Sequence, residues 1–134
     1  MTRFGTDILL PADPDGALPI SPTGDLVLVS EAANVAGALQ RRTLTTPGQL
    51  LFRPTYGAGV EAELSRPSTP PRRAAIATAV RRNLLDDPRV QDARVTVAPG
   101  VPGDAKQPGT VTIGLEARLK DDSAASTNFV MESL

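Results

Sequence analysis

From Thr110 to Leu119 the chain reads Thr110-Val111-Thr112-Ile113-Gly114-Leu115-Glu116-Ala117-Arg118-Leu119, with every odd position apolar. Thr110, Thr112, Glu116 and Arg118 fall on the opposite face, so a period of two runs unbroken through ten residues. That period specifies a strand with one buried face, and such a face requires neighbouring strands and a covering layer. Upstream, Val90 to Ala98 alternates in its second half, placing Ala93, Val95 and Val97 inward and Arg94 and Thr96 outward. Downstream, residues 126–134 supply one further strand, a candidate edge. A Pro/Gly-rich loop is expected at 99–109 between the first two.

Helices come next as the cover. Thr69-Pro70-Pro71 opens the longest one, because proline is tolerated where the first N–H groups are unpaired. Ile76, Ala77, Val80 and Leu84 share its apolar face, and Pro88 is expected to end it. A second helix spans 31–43, with Ser30 as N-cap and Ala32, Val35, Ala36 and Leu39 on one face. Asp25 to Val29 and Gln49 to Arg53 read as short strands, and residues 60–65 as one or two helical turns. Residues 11–24 hold four Pro and two Gly, so they read as an extended arm. The fold class is α+β: a small antiparallel sheet with two main helices on one face. Residues 1–24 form the arm and 25–134 a single domain, as a chain of 134 residues implies.

Composition excludes several functions. Cysteine and histidine are both absent, which removes disulfides, thiolate metal sites, the triad imidazole and the commonest zinc ligand. No metal or cofactor is expected. No apolar run approaches the ~20 residues of a membrane span, and Met1 to Asp7 lacks an apolar signal core, so cytoplasmic folding is expected. Fourteen basic against fifteen acidic residues, with 3% aromatics, argue against nucleic acid, which calls for a basic excess and stacking rings. Twelve of the fourteen cations are arginine; high genomic GC content explains that bias, and so does a surface built for protein interfaces. A near-zero net charge suits a part that associates.

Three motifs invite chemistry. Gly57-Ala58-Gly59-Val60-Glu61-Ala62 fits the loose dinucleotide pattern, but Pro54 interrupts the strand before it and Pro67 the helix after it. A tight turn needing positive φ explains the glycines instead. Glu61 and Glu63 invite a glycosidase reading, yet two residues apart they share no helix face, and charged residues in a short exposed segment are usually just solvated. Asp86-Asp87-Pro88-Arg89-Val90 is more unusual. Two aspartates at a helix C-terminus oppose the macrodipole by about 0.3–1 kcal/mol each, and Arg82, four residues before Asp86, compensates weakly. The motif is either a helix-stop turn stiffened by an Asp–Arg pair or a docking corner that presents Arg89.

The order of these features resembles the baseplate wedge family of contractile phage tails, often labelled lysozyme-like, with relatives in type VI secretion and extracellular injection baseplates. The matching residues are Gly5-Thr6-Asp7-Ile8-Leu9, Gly24-Asp25-Leu26, Leu44-Thr45-Thr46-Pro47-Gly48, Arg53-Pro54-Thr55-Tyr56-Gly57-Ala58-Gly59-Val60 and Asp87-Pro88-Arg89-Val90. The family hallmark is Glu-Pro-Arg, and Asp87 stands here one methylene shorter. The resemblance implies that Asp87, Pro88 and Arg89 grip the helical core bundle of larger wedge proteins. It implies that the sheet accepts strands from the first ring of sheath subunits in a sixfold baseplate, and that Pro54, Tyr56, Gly57 and Gly59 form a structural turn. The expected role is a non-enzymatic adaptor, made in the bacterial cytoplasm and mature in the tail or injection particle. A small peptidoglycan hydrolase and a generic soluble interaction domain are the alternatives.

Overall fold

A computed structural model describes residues 3–11, 16–100 and 109–132. Most of the loop expected at 99–109, part of the arm and the last two residues of the expected final strand lie outside them.

The period-two segment forms the middle of a three-stranded antiparallel meander. In chain order after two short strands, β1 (Thr6–Ile8) and β2 (Leu28–Ser30), come β3 (Val90–Pro99), β4 (Thr110–Leu119) and β5 (Ala124–Glu132). The sheet order is β3-β4-β5, with Val97 opposite Ile113 and Ile113 opposite Phe129. Val111, Ile113, Leu115, Ala117 and Leu119 are all buried, the face that alternation assigns.

Three helices supply the cover: α1 (Glu31–Leu44), α2 (Val60–Leu64) and α3 (Pro70–Leu84). α1 packs on β4 and β5, α3 on β3. Val35 and Leu39 of α1, Val60 and Leu64 of α2, and Ile76, Val80 and Leu84 of α3 join the sheet in one apolar cluster. Each such aliphatic side chain taken from water contributes about 1.5–3 kcal/mol. Ser30 holds the N-cap position of α1 in extended backbone, but its side chain makes no cap bond. The Glu31 carboxylate instead accepts the Arg3 N–H at 2.9 Å.

Several boundaries differ from the sequence reading. The strand expected at 25–29 begins at Leu28 and pairs with β1, Asp7 facing Val29, so part of the arm is anchored to the body. α3 ends at Leu84 rather than at Pro88, because the Asp86 and Asp87 N–H groups bond Asn83 and Leu84 oxygens in a turn. Both aspartates therefore lie beyond the helix. Gln49–Arg53 is not a strand. It makes successive turns, with the Gln49 N–H on the Thr46 oxygen (3.0 Å) and the Arg53 N–H on the Leu50 oxygen (3.2 Å). Among the described residues no strand pairs with it, and Phe52 takes a left-handed φ of 67°.

The turn that follows locks onto the end of α1. Ala58 and Gly59 donate their N–H groups to the Arg42 and Thr45 oxygens at 3.1 and 3.0 Å. Gly57 has φ 108° and Gly59 φ 63°, as the tight-turn reading required. A Cβ on Gly57 would collide with the Thr45 carbonyl. Gly57→Ala is therefore expected to cost about 2–4 kcal/mol, combining positive-φ strain with loss of this contact. Gly48, also at positive φ but with open space where a Cβ would go, should lose only about 1–2 kcal/mol on the same change. Urea denaturation of both variants measures the difference.

Candidate docking site

Where α3 stops, the chain turns sharply into β3, and Asp87 is the hinge pin. It is only 6% exposed. One carboxylate oxygen accepts the Arg89 backbone N–H (2.9 Å) and its Nε (3.0 Å), and the other accepts Nη2 at 2.8 Å. Two parallel charge-assisted bonds from one guanidinium fix its plane as well as its position. The corner is tied on both sides. The Asp87 N–H reaches the Leu84 oxygen, the Val90 N–H reaches the Asp87 oxygen, and the Lys120 N–H reaches the Arg89 oxygen, all at 3.0–3.1 Å. Pro88, between acid and base, is exposed, and its ring fixes the backbone between the two charges. The helix-stop turn with an Asp–Arg pair is thus formed. Among the described residues Arg82 makes no ion pair with Asp86, whereas Asp87 pairs with Arg89.

Burial on its own pushes the Asp87 carboxyl up, but the hydrogen bonds and charge of Arg89, with help from Arg42, outweigh it and hold the pKa below its ordinary value. Arg89 is shifted up by the same pairing, so the pair is ionised throughout the physiological range.

A second cluster backs this corner. Arg42 of α1 lies over the Tyr56 ring, 4.6 Å from its centre, in cation–π contact. Its Nε donates to the Asn83 side-chain oxygen at 3.0 Å, while Asn83 Nδ2 donates to the Gly57 carbonyl at 3.1 Å. Asn83 thereby joins α1, the 56–59 turn and the end of α3. Pro54, Tyr56, Gly57 and Gly59 lie in and just before this turn. Arg42 and Asn83 were not singled out in the sequence, since nothing local marks them.

Between this cluster and the Asp86–Pro88 corner opens a cleft of about 470 Å³, with Phe52, Arg53 and Pro54 on its other side. Leu51 and Phe52 stand out from the surface, 81% and 91% exposed. Two large apolar side chains on one exposed turn, beside a rigid charged corner, have the composition of a protein contact.

The enzyme motifs do not assemble. Glu63 pairs with Arg72 at 3.2 Å on the surface, and Glu61 is exposed beside it. Asp87, Asp92 and Asp121 are all shifted down, the reverse of what a general acid needs. Among the described residues no helix is long and apolar enough to cross a membrane.

The profile of the baseplate wedge protein gp25 family matches residues 29–124, from β2 through the start of β5. The chain belongs to that family. No curated protein sequence matches it. Among solved structures, a Geobacter sulfurreducens protein described as a candidate tail lysozyme is 19% identical, with TM-score 0.60 over 75% of this chain and 89% of that one. A chain of the type VI secretion system baseplate complex is 14% identical, with TM-score 0.54 over 75% and 92%. A chain of the anti-feeding prophage baseplate is 20% identical, with TM-score 0.56 over 98% and 87%. At these identities the likeness establishes the α+β fold, and the family supplies a structural role in a baseplate.

The lowered pKa makes the corner's stability depend on pH. The folded state binds the Asp87 proton less readily than the unfolded state, whose carboxyl titrates near about 3.9. Its contribution is complete above that value and falls away as the pH drops through the lower folded pKa. Asp87→Asn should reduce stability at pH 7 and flatten its decline below about pH 4. Guanidinium unfolding at pH 7, 4 and 3 reads both; an unchanged acid slope would show that Asp87 is not held low.

Proposed function

We propose that this wedge-family protein is a non-enzymatic adaptor of a contractile tail or injection-system baseplate, which joins the wedge core bundle to the first sheath ring. The carrying observation is the Asp87–Pro88–Arg89 corner: a buried carboxylate that clamps a half-exposed guanidinium beside an exposed proline and the Leu51–Phe52 turn. Asp87, Pro88 and Arg89 dock the wedge bundle, Asp87 by holding Arg89 in its orientation. The turn at Pro54, Tyr56, Gly57 and Gly59 is structural, and the sheet adds strands from the sheath. The shorter Asp87 still reaches both Arg89 Nε and Nη2, which supports equivalence with the Glu-Pro-Arg hallmark. Assembly in the cytoplasm, a sixfold particle and a mature location in the baseplate complete the reading.

A peptidoglycan hydrolase is the second reading, favoured by the description of one structural neighbour. A zymogram on cell-wall substrate separates the two: the adaptor gives no clearing at any pH.

Arg89→Ala takes two bonds from the buried Asp87 carboxylate and should lower the melting temperature; it is still expected to fold, the Arg89 backbone N–H bond remaining, yet fail to enter baseplates, and fully active particles built with it would refute the docking role. Phe52→Gly removes a left-handed strain of about 1 kcal/mol. It should leave the melting temperature unchanged or raised while weakening incorporation, as counted on negatively stained particles.

A further inference from the structure

The N-terminal arm carries surface that the body does not use. Seven of the eleven large apolar side chains exposed among the described residues lie between Ile8 and Leu28, and none of the seven belongs to the core cluster. The charge of the arm is one-sided as well. Residues 1–31 hold Asp7, Asp13, Asp15, Asp25 and Glu31 against Arg3 alone, whereas the rest of the chain holds thirteen basic and ten acidic residues.

Four of these apolar side chains are fixed together. β1 pairs with β2 so that Ile8 faces Leu28, and an isolated antiparallel bridge sets Ile20 opposite Leu26. Along 26–30 the exposed Leu26, Leu28 and Ser30 alternate with the half-buried Val27 and Val29, so both aliphatic pairs stand on the outward side. Val27 is tied to each neighbour: its oxygen accepts the Leu9 N–H at 2.8 Å, and its N–H reaches the Pro19 oxygen at 3.3 Å. The turn between Ile20 and Leu26 is closed by the Ser21 N–H on the Asp25 oxygen (2.7 Å) and the Gly24 N–H on the Ser21 oxygen (2.9 Å). Asn34 of α1 anchors the start of the arm through the Phe4 carbonyl at 2.9 Å. These bonds hold in place an aliphatic face that is costly in water until something covers it.

Other open features of the surface are already spoken for. Leu51 and Phe52 belong to the Asp87 corner, and at the β3 border the Ala93 carbonyl and N–H are taken by Arg81 Nε at 2.8 Å and Asp92 Oδ1 at 2.9 Å.

Spacing and charge select what covers the arm. Leu26 and Leu28 are two residues apart along one strand, about 6.6 Å, close to the rise of about 6 Å over four residues of an α-helix. A helix laid along this strand therefore meets one aliphatic pair with residue i and the other with residue i+4. The face itself is uncharged, but the exposed Asp7 and Asp25 precede Ile8 and Leu26, and Asp7 has only a loose 3.8 Å pairing with the exposed Arg41. A second acidic arm or an anionic lipid surface is repelled by this arrangement, and basic side chains are attracted.

We propose that this face docks a basic amphipathic helix of another baseplate protein, its apolar residues on the Ile8–Leu28 and Ile20–Leu26 pairs and its lysines or arginines beside Asp7 and Asp25. All four aliphatic residues precede the stretch that the family profile matches, and the contact is separate from the wedge docking and strand addition proposed above.

The chain has no cysteine, so Thr6→Cys, exposed two residues before Ile8, places a single thiol on the same side of β1. Baseplate particles carrying it are labelled with a short photo-crosslinker, irradiated, and the product is mapped by mass spectrometry. It should join a helical segment of a second protein, apolar at i and i+4 and flanked by lysine or arginine. Leu28→Lys should lower the yield about tenfold and Leu28→Glu by less, because only lysine adds repulsion. Neither should lower the melting temperature, since Leu28 is 64% exposed. An equal or greater loss with Leu28→Glu overturns the basic partner. A product with a second copy of this chain, or with an acidic or non-helical segment, overturns the stated occupant. No product, in particles that contain the protein, overturns docking at this face and leaves the adaptor reading standing. Particles that lack the protein overturn both.

Discussion

The contact between the backbone of Gly57 and the Thr45 carbonyl at the end of α1 governs the rest of the molecule. It is a packing distance only a residue without Cβ can meet, in a conformation that glycine alone adopts without cost. Because the turn lies so close, Ala58 and Gly59 can bond the last carbonyls of α1, satisfying groups a helix end otherwise leaves to water. The same turn presents the Gly57 carbonyl to Asn83 and the Tyr56 ring to Arg42. Through Asn83 the end of α3 is held against α1, and the place where α3 ends sets where the Asp87 corner begins. The orientation of Arg89 is thus inherited from a glycine thirty-two positions earlier in the chain.

Rigidity at the corner and freedom in the turn beside it serve different ends. The Asp87–Arg89 pair is a short-range bidentate clamp with backbone bonds on each side, so little side-chain entropy remains to be lost on binding. Leu51 and Phe52 have no such support. Their apolar surface is costly in water and gains most when a partner covers it. A surface that couples one pre-ordered charge to one exposed apolar pair divides its work between orientation and affinity.

What the sequence made legible follows from how local each signal is. The alternation of Val111 to Leu119, the helical spacing of Val35 and Leu39, and that of Ile76, Val80 and Leu84 each report a buried face within one element, and each places correctly. Gln49–Arg53 misled because Leu50-Leu51-Phe52 is an apolar run of strand length, and periodicity alone cannot say that no neighbouring strand exists. β1 was missed because three residues carry no period at all. The Asp87–Arg89 pair was legible as one of two readings because its members are two residues apart. The Arg42–Tyr56–Asn83 cluster was not, since it draws on three elements whose approach is set by the fold.

Arg81 has a consequence beyond its own hydrogen bonds. A sheet with both edges open can meet copies of itself head to tail, and nothing in that geometry closes the chain of contacts. With the Ala93 carbonyl and N–H already occupied, one side of the sheet refuses pairing, so each molecule can join a growing β-ribbon at one border only. An open-ended filament of this protein, built by strand pairing at both borders, is thereby disfavoured even where many copies are crowded together.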